Sequence, residues 1–378
     1  MLIKNGLVLD GKTNRFEKTD ILLENDNIKA LGTNFDSDEI FDAEGAYIIA
    51  GFVDTHIHGC VGVEFASADE DFGPARKWLA SEGTTSIAAT VRALPPEIAA
   101  KAEKNILREA KKEVLGASVE GINLEGPFVS REKSGVMNPP DIECTSDAVR
   151  YLAESAEGML KIITIAPERE NARDAIKTAC EYGVNASIGH TNATYAQTMA
   201  AIDAGATRAT HTFNAMRPLS HRETGVLGAV FTDSRVNCEM ICDLVHLDEA
   251  TIGIIYGLKG YENITLVSDT GFMSGLGDGE FIVDGRKRVV TDGVCRNAEG
   301  RIAGSCVSML AGARNLLRMG IPLEEISVMA SLNPARALDA DKRIGSIESG
   351  KRADLIVRDS DLNIKAVFVK GKRIRNTE

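Results

Sequence analysis

The chain is expected to fold as a parallel (β/α)8 TIM barrel, of the α/β class, with a small β-sandwich formed from both termini. Three observations predict this. Eight short apolar stretches alternate with helical patterns between residues 51 and 269. Both ends of the chain are instead rich in Ile, Leu and Val, punctuated by Gly, Asn and Asp in the manner of short strands. No glycine-rich phosphate loop follows the first apolar stretch, which removes the main reason to prefer an open dinucleotide-binding sheet.

Taken in order, "MLIKNGLVLDG", "DILLENDNIKALG" and "IFDAEGAYIIAG" read as strands, and the tail "IGSIESGKRADLIVRDSDLNIKAVFVKGKRI" has the same character. Residues 1–50 and 344–378 are therefore expected to pair into one small domain, flanking a barrel at 51–343. The barrel strands are expected at 51–58, 85–90, 119–125, 160–167, 185–190, 207–213, 236–243 and 264–269. Helical patterns such as "DFGPARKWLASEG", "PPEIAAKAEKNILREAKKEV", "NARDAIKTACEYG" and "LDEATIGIIYGLKG" separate most of them, several ending in a Gly suited to a helix C-cap. After the eighth strand, residues 279–300 read as a hairpin insertion with Asp-Gly turns.

Composition narrows the function. A net charge of −12 without any Lys/Arg cluster argues against a nucleic-acid surface. No apolar run reaches the roughly 18 residues that span a bilayer, and the opening "MLIKNGLVLDGK" is too soon interrupted for a signal peptide. Seven cysteines without regular spacing read as reduced thiols, so a cytoplasmic protein is expected.

The chemistry is carried by "GFVDTHIHG" at 51–59. Residues two apart on a strand share a face, so His56 and His58 project together at the C-terminal end of the first barrel strand. That end is where barrel enzymes place their active sites. A pair of hydrogen-bonded core histidines is the plainer reading, but two adjacent imidazoles are hard to satisfy without a carboxylate or a cation. Glu125 ends the third strand, His190 the fifth and Asp269 the eighth, while His211 lies late in the sixth. Taken singly, each could cap a turn or sit satisfied in the core. Together they place six His, Glu and Asp side chains at one end of one barrel, and such a set holds one or two divalent cations. Zn is the first expectation, with Fe, Co, Mn or Ni as alternatives.

With "GFVDTHIHG" and the closing "GSIESGKRADLIVRD", the chain resembles the amidohydrolase superfamily. "EGPF" at 125–128, "GHTNAT" at 189–194, "THTFNAM" at 210–216 and "SDTGFMSGLGDG" at 268–279 narrow the resemblance to the N-acetylglucosamine-6-phosphate deacetylase family. The resemblance implies hydrolysis of the acetamide of a phosphorylated amino sugar by a cytoplasmic homodimer. It implies Glu125, His190 and His211 as the main metal site, and His56 and His58 as a second, with Glu125 bridging and Asp269 as catalytic base and acid. Some members carry Gln in the first-strand motif and use one metal; this sequence is similar to the two-metal variety. Asn214 and Ala215 match backbone contacts near the substrate phosphate, and His246 a substrate contact. Ile302, Ala303 and Gly304 match a loop that closes on the sugar. Arg222 matches an arginine that reaches the phosphate in a neighbouring subunit.

One departure stands out. In "KSGVMNPP" the substrate-facing pair is Val136 and Met137, where the family usually has His before Asn-Pro. A thioether donates no hydrogen bond, so carbonyl polarisation falls to a second metal or the acyl substrate differs. Other amidohydrolases fit less well. The fourth strand has Lys161 at its beginning, where a bridging lysine of cyclic-amide hydrolases would stand at the end, and "SIGHTNAT" lacks the His-Ala-x-Glu run of adenosine-deaminase-like members. A non-catalytic sugar-phosphate-binding barrel is the remaining alternative, and it needs no water-activating ligand set.

Overall fold

A computed structural model of the chain describes residues 1–283 and 285–374; position 284 of the expected hairpin and 375–378 of the expected terminal domain lie outside the described residues. Eight parallel strands make the barrel: Phe52–Ile57, Thr84–Arg92, Ser118–Glu125, Leu160–Ile165, Asn185–Ile188, Arg208–Ala209, Asn237–Ile241 and Ile264–Val267. They are numbered 1 to 8 below. Each pairs in parallel with the next along the chain. The seam between strands 8 and 1 is closed at its mouth by backbone hydrogen bonds: Asp269 N donates to His56 O at 2.9 Å and His58 N to Thr270 O at 2.8 Å. Closure therefore passes through the very residues that carry the chemistry.

All eight expected strands are present, and six end earlier than expected, strands 5, 6 and 8 among them. Strands 5, 6 and 8 stop at Ile188, Ala209 and Val267, so His190, His211 and Asp269 each lie two residues beyond a strand. All three adopt left-handed backbone, with φ of 47°, 26° and 51°. That conformation breaks the ladder, which is why an apolar run continuing to the ligand overstates the strand's length.

Helices Gly73–Ser81, Pro96–Ala110, Ser146–Ser155, Ala172–Glu181, Tyr195–Asp203 and Glu249–Lys259 follow the expected patterns. A helix at Gly225–Thr232, after strand 6, was not expected. "GVLGAVFT" is apolar on every side and buried from Gly225 to Val230, so it shows no amphipathic period. Helix Tyr195–Asp203 is opened by a capping box in which Thr194 and Gln197 exchange side-chain and backbone bonds, and this accounts for "NATYAQ".

The strands at 2–50 and 355–374 form one mixed sheet of eight strands. Its two chain ends meet where Tyr47–Ala50 pairs antiparallel with Leu355–Arg358. Ile3, Ile21, Ile48, Leu355 and Phe368 are among the residues of its own core. Arg352 ties this sheet to the barrel floor: it pairs with Glu120 of strand 3 and with Asp354, and donates to Ser86 of strand 2. The "GKRADLIV" segment thus carries a buried ionic clamp.

Glu103, in helix Pro96–Ala110, is fully buried; among the described residues its Oε1 has no partner and Ser155 alone donates to Oε2. Burial pushes its carboxyl from 4.5 up to about 7, against the Ser155 hydrogen bond. A raised folded-state value means that stability is intact below about pH 4.5 and is lost as the pH rises through about 7. Glu103→Gln is therefore expected to reduce the fall in thermal midpoint between pH 5 and pH 8, by on the order of 2 °C. Calorimetry at both pH values checks this; an unchanged fall would contradict it.

Candidate metal centre and active-site cavity

Strand 1 carries His56 and ends at Ile57, with His58 next, and the two ring centroids lie 5.4 Å apart. Gly59 follows because the chain turns at once into a hairpin: a Cβ there would lie 2.0 Å from Val63 O, and φ is 156°. Gly189, just before His190, has a similar role. A Cβ at that position would sit 2.5 Å from Thr210 Cβ, where Thr210 bonds to the hydroxyls of Ser187 and Thr164 inside the barrel. Only glycine lets the end of strand 5 approach strand 6 this closely.

The six expected ligands converge. Glu125 Oε1 lies 2.8 Å from His190 Nε2, 3.0 Å from His211 Nε2 and 3.5 Å from His56 Nε2. Its Oε2 lies 3.3 Å from His58 Nε2. Asp269 Oδ1 is 3.3 Å from His58 Nε2 and 3.6 Å from His56 Nε2. Among the described residues, two donor groups meet the spacing of a metal site, His56–Glu125–His211 and His56–His58–Asp269.

Protons alone do not satisfy this arrangement. His190 Nδ1 faces the Lys133 carbonyl at 2.8 Å and His56 Nδ1 faces Glu239 Oε2 at 3.0 Å, so both Nδ1 atoms carry hydrogen. In the neutral rings Nε2 then presents a lone pair toward Glu125, and His56 Nε2 has no hydrogen-bond partner. His190 Nε2 and His211 Nε2 also face one another at 3.0 Å. Lone pairs on carboxylate and imidazole aimed at a common point call for a cation, and the Nδ1–H contacts are those expected behind metal-ligating histidines. Without one, charge accumulates in the rings. Burial lowers the basicity of His58, but Asp269 and Glu125 outweigh it and push the ring up to about 9. Burial raises the Asp269 carboxyl, yet His58, His56 and His211 hold it below the ordinary range. The donor set fits a divalent metal.

Above the cluster opens a cavity of about 290 Å³. His58, Glu125, His190, His211 and Asp269 line it, while His56 is fully buried beneath. Of the expected substrate contacts, Val136, Met137, Asn214, Ala215, His246, Ile302, Ala303 and Gly304 line the same cavity. His246 donates through Nδ1 to Asp243 at 2.7 Å; burial opposes its protonation and Asp243 raises it above the usual value. Arg222 is exposed in the loop after strand 6 and does not line the cavity.

Comparison with known proteins places this geometry. The amidohydrolase family profile matches residues 47–374. The chain belongs to the amidohydrolase family. It is 30% identical over 387 aligned residues to N-acetylglucosamine-6-phosphate deacetylase of Lysinibacillus sphaericus, covering 99% of this chain and 97% of that protein. It is 33% identical to N-acetylgalactosamine-6-phosphate deacetylase of Escherichia coli O157:H7, covering 88% and 89%. Among solved structures, a mutant N-acetyl-D-glucosamine-6-phosphate deacetylase of Mycobacterium smegmatis in complex with N-acetyl-D-glucosamine-6-phosphate superposes with a TM-score of 0.89. It is 34% identical over 99% of both chains.

As an amidohydrolase, the chain carries site features that the sequence reading missed. Glu239 and Arg208 lie beneath the ligands and form a buried pair at 3.2 Å. Glu239 stands at mid-strand within "NCEMI", without the strand-end turn that singled out Glu125. Phe272, Met273, Val283 and Arg288 also line the cavity. The hairpin insertion is thus part of the site's wall, packed through Phe281, Val283 and Val290 against Val136, Phe272 and Met273. Nothing in its turn-rich sequence ties it to the mouth. Arg92 and Glu64, paired at 3.1 Å, complete the rim.

Gly189→Ala is expected to destabilise the protein by about 1–3 kcal/mol through overpacking and to lower its bound metal, because His190 is displaced. Chemical denaturation with elemental analysis checks both; unchanged stability and metal content would contradict the close-approach argument.

Proposed function

We propose that the chain hydrolyses the acetamide of N-acetylglucosamine 6-phosphate to glucosamine 6-phosphate and acetate, in amino-sugar catabolism. The observation that carries this reading is the convergence of four imidazoles with Glu125 and Asp269 at the floor of one cavity, in a chain whose relatives are sugar-phosphate deacetylases. Glu125, His190 and His211 would hold one divalent ion, and His56, His58 and Asp269 a second that Glu125 bridges, Zn before Fe, Co, Mn or Ni. A cation there supplies Lewis-acid polarisation of the amide carbonyl and acidifies water at neutral pH. The Asp269 carboxylate takes the proton of the attacking water and returns it to the departing amine nitrogen, so water is added across the amide C–N bond. Asn214, Ala215 and His246 hold the phosphorylated sugar, with Ile302, Ala303 and Gly304 closing over it.

Several further elements belong to the same reading. The enzyme works as a cytoplasmic homodimer, with Arg222 reaching the phosphate bound in the partner subunit. Residues 1–50 and the described part of 344–378 form the small domain, and the described part of 51–343 the catalytic barrel. Among the described residues, no helix is long and apolar enough to cross a membrane. Met137 leaves the acyl side of the cavity without the family's usual imidazole donor. Because an N-acetylgalactosamine-6-phosphate deacetylase is as similar as the glucosamine enzymes, the C4 epimer is the first alternative substrate to compare.

A free-amine assay on both N-acetylhexosamine 6-phosphates, and on their unphosphorylated forms, tests the reading. Amine release from a phosphorylated substrate is expected, with Asp269→Asn keeping its metal but losing about 10²–10⁴ in kcat. Absence of amine release, or full turnover in the metal-loaded variant, would contradict it. Arg222→Ala is expected to raise KM for the phosphorylated sugar about tenfold or more, as for loss of a charge-assisted contact, and to leave the unphosphorylated analogue unaffected. Equal effects on both would discard its phosphate role.

A further inference from the structure

Below the ligand cluster, three elements meet at one carboxylate. Glu239 projects from strand 7 and is fully buried. Its Oε2 receives His56 Nδ1–H at 3.0 Å and the backbone N–H of His211 at 3.2 Å. Its Oε1 receives Arg208 Nη2 of strand 6 at 3.2 Å. Arg208 is itself buried, and Glu239 is its carboxylate partner among the described residues.

We infer that Glu239, held in place by Arg208, is a positioning residue that fixes His56 as an Nε2 metal ligand. The inference rests on the proposed metal reading. An ionised carboxylate only accepts hydrogen bonds, so its contact with Nδ1 puts the ring hydrogen there and leaves the Nε2 lone pair facing Glu125 and Asp269. The same oxygen holds the backbone of His211, so two proposed ligands at the ends of strands 1 and 6 are oriented by one group. Arg208 has two effects. It compensates the buried charge, and it decides which carboxylate edge faces the histidines.

That second effect makes the idea testable with an isosteric change. In Glu239→Gln, the charged Arg208 keeps the amide oxygen on its own side, which turns the NH2 group toward His56 Nδ1 and costs the His211 N–H its acceptor. His56 then accepts at Nδ1 and carries its hydrogen at Nε2, where it no longer ligates. If Arg208 is also replaced, as in Arg208→Met with Glu239→Gln, the amide is free to rotate. Its oxygen then faces both donors, and the original tautomer returns. A glutamine acting only as a packing group would give no such reversal.

The experiment measures metal affinity by competition with a chelator, and metal stoichiometry by elemental analysis, on full-length protein with Zn²⁺ as the probe. Thermal midpoints verify folding. Glu239→Gln is expected to bind Zn²⁺ about 10–100-fold more weakly than the parent protein. The double variant is expected to recover most of that loss, and Arg208→Met alone, which keeps the carboxylate, to stay near the parent. Histidine ¹⁵N spectra of stripped protein should show His56 protonated at Nδ1 in the parent and at Nε2 in Glu239→Gln. Parent-like Zn²⁺ binding by Glu239→Gln, or no recovery in the double variant, would overturn the inference and leave the metal reading standing. Failure of the parent protein to bind Zn²⁺ would overturn both.

Discussion

Glu125 faces four imidazoles at once. Its two oxygens lie 2.8–3.5 Å from the Nε2 atoms of His190, His211, His56 and His58, inside a barrel where His56 is fully buried. Isolated buried charge of this kind is costly, and it persists only when paired or coordinated. Two of the rings have their Nδ1 hydrogens committed elsewhere, to the Lys133 carbonyl and to Glu239. For His190 and His56 the pairing cannot therefore come from neutral imidazole N–H groups, and a shared cation is the arrangement that satisfies their lone pairs together with those of the carboxylate. Much of the surrounding structure follows from meeting that one condition.

The fold meets it through backbone geometry at the strand ends. A parallel barrel delivers the last residue of each strand to one rim, but regular strand geometry would leave successive side chains alternating between core and exterior. His190, His211 and Asp269 instead turn inward through left-handed backbone just beyond their strands. Such conformations are strained for non-glycine residues and concentrate at functional sites. Neighbouring contacts hold them there. Asp269 N–H closes the barrel seam onto His56 O, and Ser130 N–H is bound by His190 O. Placement of these side chains and barrel closure are accordingly one interaction seen from two sides.

Much of this was legible in the sequence, for a physical reason. Apolar strands that deliver charged or imidazole side chains just before a turn are unusual, and "GFVDTHIHG", "INLEGPF" and "SIGHT" all have that form. The terminal strands were legible from alternating Ile, Leu and Val between Gly and Asn turns. What escaped lacked a local signal. Helix Gly225–Thr232 is apolar on every face, so no periodicity marks it. The hairpin insertion shows only its turns, and its place in the cavity wall depends on packing against Val136 and Phe272 from elsewhere in the chain. Glu239 sits at mid-strand, where its contact with His56 spans 183 positions. Left-handed backbone at His190 and Asp269 cannot be read from residue type, so the strand ends were placed two residues late.

Anomalous diffraction from crystals of chelator-stripped protein reloaded with Zn²⁺ tests the central claim most directly. The account predicts one or two peaks within about 2.0–2.2 Å of Glu125 oxygen and imidazole Nε2 atoms, with His56 and His190 bound through Nε2. Zn²⁺ found only at other positions, with Glu125 still hydrogen-bonded among unmetallated imidazoles, would contradict it.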